Sequence, residues 1–217
     1  MQTLPRVRPR SLEDLTVEVA IIRPGPIVGG AVSPYINRRM GREPVTYDHP
    51  SLEPALAETL GVILYQEQIL QVAIALAGFT AGQAESLRRA MSRKRSKEAI
   101  AKLKEQFIKG CLGNGVSNEV AQTVFRKIQG FAEFGFPKAH AAAFGLLAYQ
   151  TAWLRTYYPA EFLCALFNAQ PMGFYGPHVL VNDGKRHGVE VLPPDINRSG
   201  ANCTMEGEVV RIGLRYV

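Results

Sequence analysis

Apolar residues recur at helical spacing through the middle of the chain. Between Tyr65 and Ala77, Ile69, Val72, Ala73 and Leu76 fall on one face, which predicts an amphipathic helix stopped by Gly78. Thr80 and Gln83 form a capping box for the next helix. On that helix Ala84, Leu87 and Met91 share one side, Arg89 and Arg93 the opposite side, and Arg88 the flank. Upstream, Ser51 caps a short helix that carries Glu53 and Pro54 in its first turn and ends at Gly61. Ser96 and Ser117 cap two further helices that end near Gly110 and Gly130. Before residue 51 the pattern is weaker. Pro5 and Pro9 make the start extended, an apolar LTVEVAII segment follows, and Gly29, Gly30 and Pro34 make 27–50 read as loop.

The run FGFPKAHAAAFGLLAYQTAWL (134–154) is apolar almost all round. His140, Phe144, Leu147, Thr151 and Leu154 share one helix face, and small residues let neighbours approach on the other sides. A helix of this kind is normally buried, so Phe144, Tyr149 and Trp153 read as core. Its first turn is unusual. A helix start already presents free N–H groups and a positive dipole end, yet this one carries Lys138 and His140. Such a start needs an anion nearby, and a phosphate is commonly held in this way. A lysine reaching to solvent and a histidine that orients the helix start would account for the same residues.

Tyr157, Tyr158 and Pro159 break that helix, and AEFLCALFN makes one more. The last fifty residues change character. Pro171, Gly173, Gly176 and Pro177 mark a linker, and a short helix around Val179 to Arg186 ends at Gly188. VEVLPPDIN reads as a strand into a turn, and MEGEVVRIGLRYV as a hairpin with Glu206-Gly207 near its turn. The pattern as a whole predicts a mainly α protein with a small α+β carboxy-terminal subdomain.

The 217 residues carry a net charge of +6, which points to a polyanion or an acidic membrane surface. No apolar run approaches the length of a membrane span, and the start does not read as a signal peptide. Cys111, Cys164 and Cys203 are odd in number and far apart, and none of the four histidines has a ligand spacing, so a reducing cytoplasm is the expected compartment.

Charge is most lopsided between Arg88 and Lys104, where eight basic residues meet one acid, Glu98. A solvated helix face normally mixes signs, so this stretch reads as a phosphate-binding surface, with a basic surface that has no dedicated partner as the alternative. A second cationic point is Arg23 in Arg23-Pro24-Gly25-Pro26, a stiff type II turn.

Arg23-Pro24-Gly25-Pro26, GVILYQEQILQVA (61–73), LRRAM (87–91), FAEFGFPKAHAAAFGLLAYQTAWL (131–154) and YYPAEFL (157–163) stand in this order. Together they resemble the fingers region of bacterial C-family DNA polymerases, the alpha subunit of DNA polymerase III and its relatives. The resemblance covers nearly the whole chain. NAQPMGFYGPHVLVNDGKRHGVEVLPPDIN (168–197) and the closing RIGLRYV are more similar to the error-prone branch than to the replicative one.

The resemblance implies a multi-helix fingers domain. It divides into a basic extended or loop segment at 1–50 leading from the palm, a helical core at 51–169 and a small α+β end at 170–217. It also implies that the palm, with its metal-binding aspartates, and a PHP domain lie before this region, and that helix–hairpin–helix motifs lie after it. The Mg2+ ions of the full-length enzyme would then have ligands elsewhere. Asp14, Asp48, Asp183 and Asp195 are scattered, with no paired carboxylates for two metals. The expectation is a nucleotidyltransferase that is inactive as this fragment alone and acts, when complete, in repair synthesis after DNA damage.

Its partners would be primer–template DNA and a dNTP, with a sliding clamp and mutagenesis accessory proteins reached through other regions, and no membrane. The triphosphate ligands implied are Arg88 and Arg89 first, then Lys138 and His140, then Arg23, for which the templating strand is the alternative. His140 is also a candidate proton donor to pyrophosphate. Arg93, Lys94, Arg95 and Lys97 suit contacts to the DNA backbone. Tyr65 and Gln66 read either as neighbours of the nascent base pair or as a core tyrosine and a helix-cap glutamine. Rival identities are a replicative alpha subunit fragment and a non-catalytic helical DNA-binding module.

Overall fold

The computed structural model describes residues 4–22, 32–92, 97–132, 135–173 and 175–216. Arg23 and the RPGP turn lie outside the described residues, as do Arg93, Lys94, Arg95 and Ser96. The described chain is mainly helical, with one small sheet near its carboxy-terminal end. It falls into two compact units, 1–146 and 147–217.

The first unit opens with α1 (Leu4–Val7), α2 (Leu12–Ile21) and α3 (Val32–Arg39). The expected extended start and loop are therefore partly helical. Pro5 and Pro34 stand in first turns, where a missing N–H costs nothing. Buried Tyr35 and Ile36 give α3 a reason to form that the surrounding glycines concealed. Ser11 caps α2 by accepting from the Asp14 amide at 3.2 Å. Asp14 in turn binds Arg39 at 2.5 Å and so ties α2 to α3. Val7, Val17, Ala20, Ile21, Tyr35, Leu64, Tyr65 and Ala141 make a small core beneath these helices.

A larger core holds the helical middle. Its members are α4 (Glu53–Leu56), α5 (Gln66–Ala77), α6 (Ala81–Ser92), α7 (Lys97–Gly113) and α8 (Asn118–Ala132). The predicted apolar face of α5 is fully buried, and Leu87 of α6, Phe107 of α7 and Phe125 of α8 close over it. Phe107 meets Phe79 edge-on at 6.0 Å and Phe125 at 5.6 Å. The Thr80–Gln83 capping box is formed, with the Thr80 amide donating to Gln83 Oε1 at 2.9 Å. Gly78 ends α5 in the left-handed conformation. Gly110 lets α7 run against the end of α5, because a Cβ there would lie 2.2 Å from the Ala77 carbonyl oxygen. The Ser51 cap is replaced: Ser51 lies inside a 3-10 turn, Pro50–Leu52, and the His49 side chain accepts at its start.

The long helix α9 (Lys138–Tyr157) begins in the first unit. It corrects the expectation of a buried rod. Ala141 and Gly145 are buried, whereas Phe144, Leu146, Tyr149, Trp153 and Leu154 are between 42% and 55% exposed. The small residues do admit a neighbour, since Gly145 packs against Leu15 and Thr16 of α2. The rest of its apolar surface faces outward, so Phe144, Tyr149 and Trp153 are not core residues of the described chain. No helix among the described residues is long and apolar enough to cross a membrane.

In the second unit α10 (Pro159–Asn168) and α11 (Pro177–Arg186) pack with a three-stranded sheet. Its strands are β1 (Val191–Leu192), β2 (Thr204–Glu206) and β3 (Val209–Arg211), in the order β1-β3-β2. The expected hairpin is the antiparallel β2–β3 pair, and β1 joins β3 in parallel. Asn168 fixes α10 to the sheet by exchanging two hydrogen bonds with the Cys203 backbone, at 2.8 and 2.9 Å. The closing residues Leu214–Tyr216 form a 3-10 turn instead of continuing as strand.

Candidate functional site

The start of α5 organises the candidate site. Gln68 is buried, and its Oε1 accepts from the Leu64 and Tyr65 amides at 2.8 and 3.0 Å. Its Nε2 donates to Ala55 O and to Thr59 Oγ1. Four hydrogen bonds from one buried amide fix the first turn. Tyr65, just before it, pairs with Phe136 as an isolated parallel bridge. The Tyr65 ring is buried, and burial together with nearby Glu58 pushes its hydroxyl well above the usual tyrosine range. It reads as core, in line with one of the two roles open to it.

Gln66 is not the helix-capping glutamine. Its backbone amide donates to Phe136 O at 3.0 Å, its Nε2 donates to Gly135 O at 3.1 Å, and its Oε1 accepts from Arg88 Nη1 at 2.9 Å. The helix-capping glutamine is Gln68, three residues from Tyr65.

On α6 the two arginines share one carboxylate. Arg88 Nε and Nη2 each donate to Glu85 at 2.8 Å, and Arg89 Nε donates to the same group at 2.7 Å. Hydrogen bonds from Arg88 and then from Arg89 pull the Glu85 carboxyl down to about 2. The same pairing raises Arg88 above its ordinary value. Exposure separates the neighbours: the Arg88 side chain is 24% exposed and the Arg89 side chain 66%. Glu85 lies just outside the charge run that marked this stretch as lopsided, and it balances part of it.

The start of α9 has anions from its own chain. The Glu67 carboxylate accepts from the Lys138 amide, with oxygens at 3.1 and 3.2 Å. Lys138 Nζ binds Glu58 Oε2 at 2.5 Å and stands 5.8 Å above the Tyr65 ring. An N-terminal helix turn favours negative charge, and here carboxylates supply it. His140 sits edge-on between Phe136, at 5.1 Å, and Phe144, at 4.6 Å.

Arg88, Arg89, Lys138 and His140 therefore belong to one connected neighbourhood, linked through Gln66, Phe136 and Glu67. Lys97 begins α7. The missed contributors are Glu58, Glu67 and Glu85. Glu85 could have been found from its i, i+3 and i, i+4 spacing to the two arginines. The others act over long sequence separations that no local pattern records.

Metal-binding character is lacking among the described residues, where no three His, Cys, Asp or Glu side chains gather. Asp14 pairs with Arg39, Asp48 with Lys127 and Asp183 with Arg155, so these carboxylates already face cations of the chain. The described residues do not gather into a Mg2+ site.

A family model described as the bacterial DNA polymerase III alpha subunit finger domain matches residues 1–115. The chain belongs to that family. A helix–hairpin–helix motif model matches residues 188–217. That corrects the expectation that such motifs lie wholly beyond this region. Its described residues form the sheet and the closing 3-10 turn.

Among curated relatives, proteins named error-prone DNA polymerase match the entire chain. The one from Nocardia farcinica is 54% identical and is 19% covered by this chain. That from Corynebacterium glutamicum is 50% identical and 21% covered. That from Anaeromyxobacter sp. (strain K) is 49% identical and 20% covered. The chain thus spans about a fifth of the length of these relatives.

Proposed function

We propose that this chain is the fingers part of an error-prone C-family DNA polymerase and that it binds the triphosphate of the incoming nucleotide. In the complete enzyme the reaction would be template-directed nucleotidyl transfer to a primer 3′-hydroxyl during damage-tolerant repair synthesis. Mg2+ would be held by other parts of the polypeptide. Arg89 carries the reading. Its Nε is used by Glu85, which leaves the outer edge of an exposed guanidinium fork for phosphate oxygens. Arg88 stands beside it, and Lys138 and His140 stand at the helix start joined to it. Arg23 is a further ligand in this reading, although it lies outside the described residues.

Phosphoryl transfer needs alignment and cations more than covalent help from the protein. A triphosphate carries more charge than a carboxylate, so it would take Arg89 and Lys138 from Glu85 and Glu58 without rebuilding the fold. Arg93, Lys94, Arg95 and Lys97 would hold the primer–template backbone, and the match at 188–217 supports DNA contact at the other end of the chain.

The test is Arg89→Ala in the complete polymerase. The expected result is a higher KM for dNTP with primer–template binding little changed. Equal loss of both would move Arg89 to the DNA contacts. Strong, sequence-selective DNA binding by the chain, insensitive to salt, would favour the non-catalytic DNA-binding module instead.

A further inference from the structure

The sequence presents Arg88 and Arg89 as a matched pair, and the structure gives them different surroundings. Arg88 has each of its three nitrogens engaged: Nε and Nη2 on Glu85, and Nη1 on Gln66. Arg89 has one nitrogen engaged among the described residues and is the more exposed. Gln66 then passes the connection on. The amide that accepts from Arg88 donates to Gly135 O, three residues before Lys138. Gly135 comes so close that a Cβ on it would lie 2.7 Å from Gln66 Cγ.

We propose that Gln66 is a positioning residue that couples the α6 arginines to the start of α9. Its side-chain amide spans the gap between Arg88 and Gly135 and holds Arg89 and Lys138 in one frame. The proposal rests on the nucleotide-binding reading above and adds to it the device that keeps two separate cationic points in register. A primary amide suits this place because it accepts on one atom and donates on another. A carboxylate would keep the hold on Arg88 and set two acceptors against each other at Gly135. A methionine would fill the space and lose both bonds. A triphosphate spans several oxygens, and its affinity depends on cations that are already spaced to meet them, since mobile side chains must be ordered on binding.

The experiment uses the complete polymerase on primer–template and a fluorescent dATP analogue, read by anisotropy at low ionic strength. Amide hydrogen exchange at Lys138 is followed alongside, and melting confirms that each variant is folded. Gln66→Met is expected to weaken nucleotide binding about tenfold, a change that 1.4 kcal/mol would produce. It is also expected to speed exchange at Lys138 several-fold, with melting close to that of the parent chain. Gln66→Glu keeps the Arg88 half of the link and should speed exchange at Lys138 with a smaller loss of affinity. If Gln66→Met unfolds, Gln66→Glu decides by the same two readouts.

Arg89→Ala is the control on the underlying reading, and it should weaken binding without altering exchange at Lys138. If Arg89→Ala weakens binding and the Gln66 variants do not, the positioning role is wrong. If neither weakens binding in the complete polymerase, the nucleotide reading fails. The coupling then stands or falls on exchange alone: unchanged exchange at Lys138 in both Gln66 variants overturns it.

Discussion

The Arg88 guanidinium grips the Glu85 carboxylate with two parallel hydrogen bonds, both 2.8 Å, one turn back along the same helix. This fork geometry is the arrangement by which arginine also meets phosphate. It is used here on a group of the chain itself, so the arginine is held in a phosphate-competent shape by a carboxylate. Its neighbour Arg89 touches the same carboxylate with one nitrogen and is much the more exposed of the two. The division between a held arginine and a presented one is the basis for the first expectation.

Arg88→Ala removes a bidentate pair and leaves Gln66 Oε1 without its donor. It is expected to destabilise the chain by more than about 1 kcal/mol. Arg89→Ala removes an exposed pair and should stay within about 0.5 kcal/mol of the parent. Chemical denaturation of the two variants side by side checks the contrast, and equal losses would refute it.

Glu85 sets a pH dependence. Its carboxyl is depressed from 4.5 to about 2 in the folded chain, so pairing adds stability that is complete above about 4.5 and is lost as pH falls through 2. Melting of Glu85→Gln against the parent should show a constant gap from neutral pH down to about 4.5, closing toward pH 2. The Glu85 side-chain resonance in a carboxyl NMR titration should stay ionised at pH 3.5. A midpoint near 4.5 would mean that the arginines do not hold it in solution.

Glu18 has the opposite sign. It lies on α2 at 5% exposure, its Oε2 has no hydrogen-bond partner among the described residues, and burial raises its carboxyl above 4.5. A raised carboxyl favours the folded state when protonated, so stability falls as pH climbs from 4.5 through the folded value. Glu18→Gln is expected to gain about 1 kcal/mol at neutral pH, with the gain shrinking toward acid. A series of melts between pH 4.5 and 8 reads the trend, and a loss at neutral pH would contradict it.

Gly110→Ala tests the packing of the helical middle. A Cβ at 110 would meet the Ala77 carbonyl oxygen at 2.2 Å, and both atoms are backbone or fixed to it. α5 and α7 would have to separate, at a cost expected to exceed about 2 kcal/mol. Melting of that variant decides, since an unchanged midpoint would mean the two helices part freely.

Much of the helical middle could be read from residue order alone. The buried stripe of α5, the Thr80–Gln83 box on α6 and the stop at Gly78 depend on neighbours within a few positions, and local spacing records them. The β2–β3 hairpin was legible for the same reason. Helix α3 was not, because two buried side chains outweighed glycine and proline signals that point to loop. The candidate site divides along the same line. The cations Arg88, Arg89 and Lys138, and His140 beside them, could be named from charge and position. The carboxylates that face them are Glu58 and Glu67, whose contacts to Lys138 cross 80 and 71 residues.

The run from Phe134 to Leu154 shows what each level decides. Its composition set a long helix, because alanine, leucine and their neighbours favour that backbone wherever they lie. Its charges set an anion requirement at the first turn, because a helix start is positive whatever surrounds it. Which anion answers, and which side of the helix is covered, were decided by tertiary structure. Glu67 and Glu58 reach Lys138 because α5 and its preceding turn lie against the helix start, and Gly145 is buried because α2 crosses there. Burial is a property of what packs nearby, and the same apolar residues leave Phe144 and Trp153 exposed where nothing described covers them.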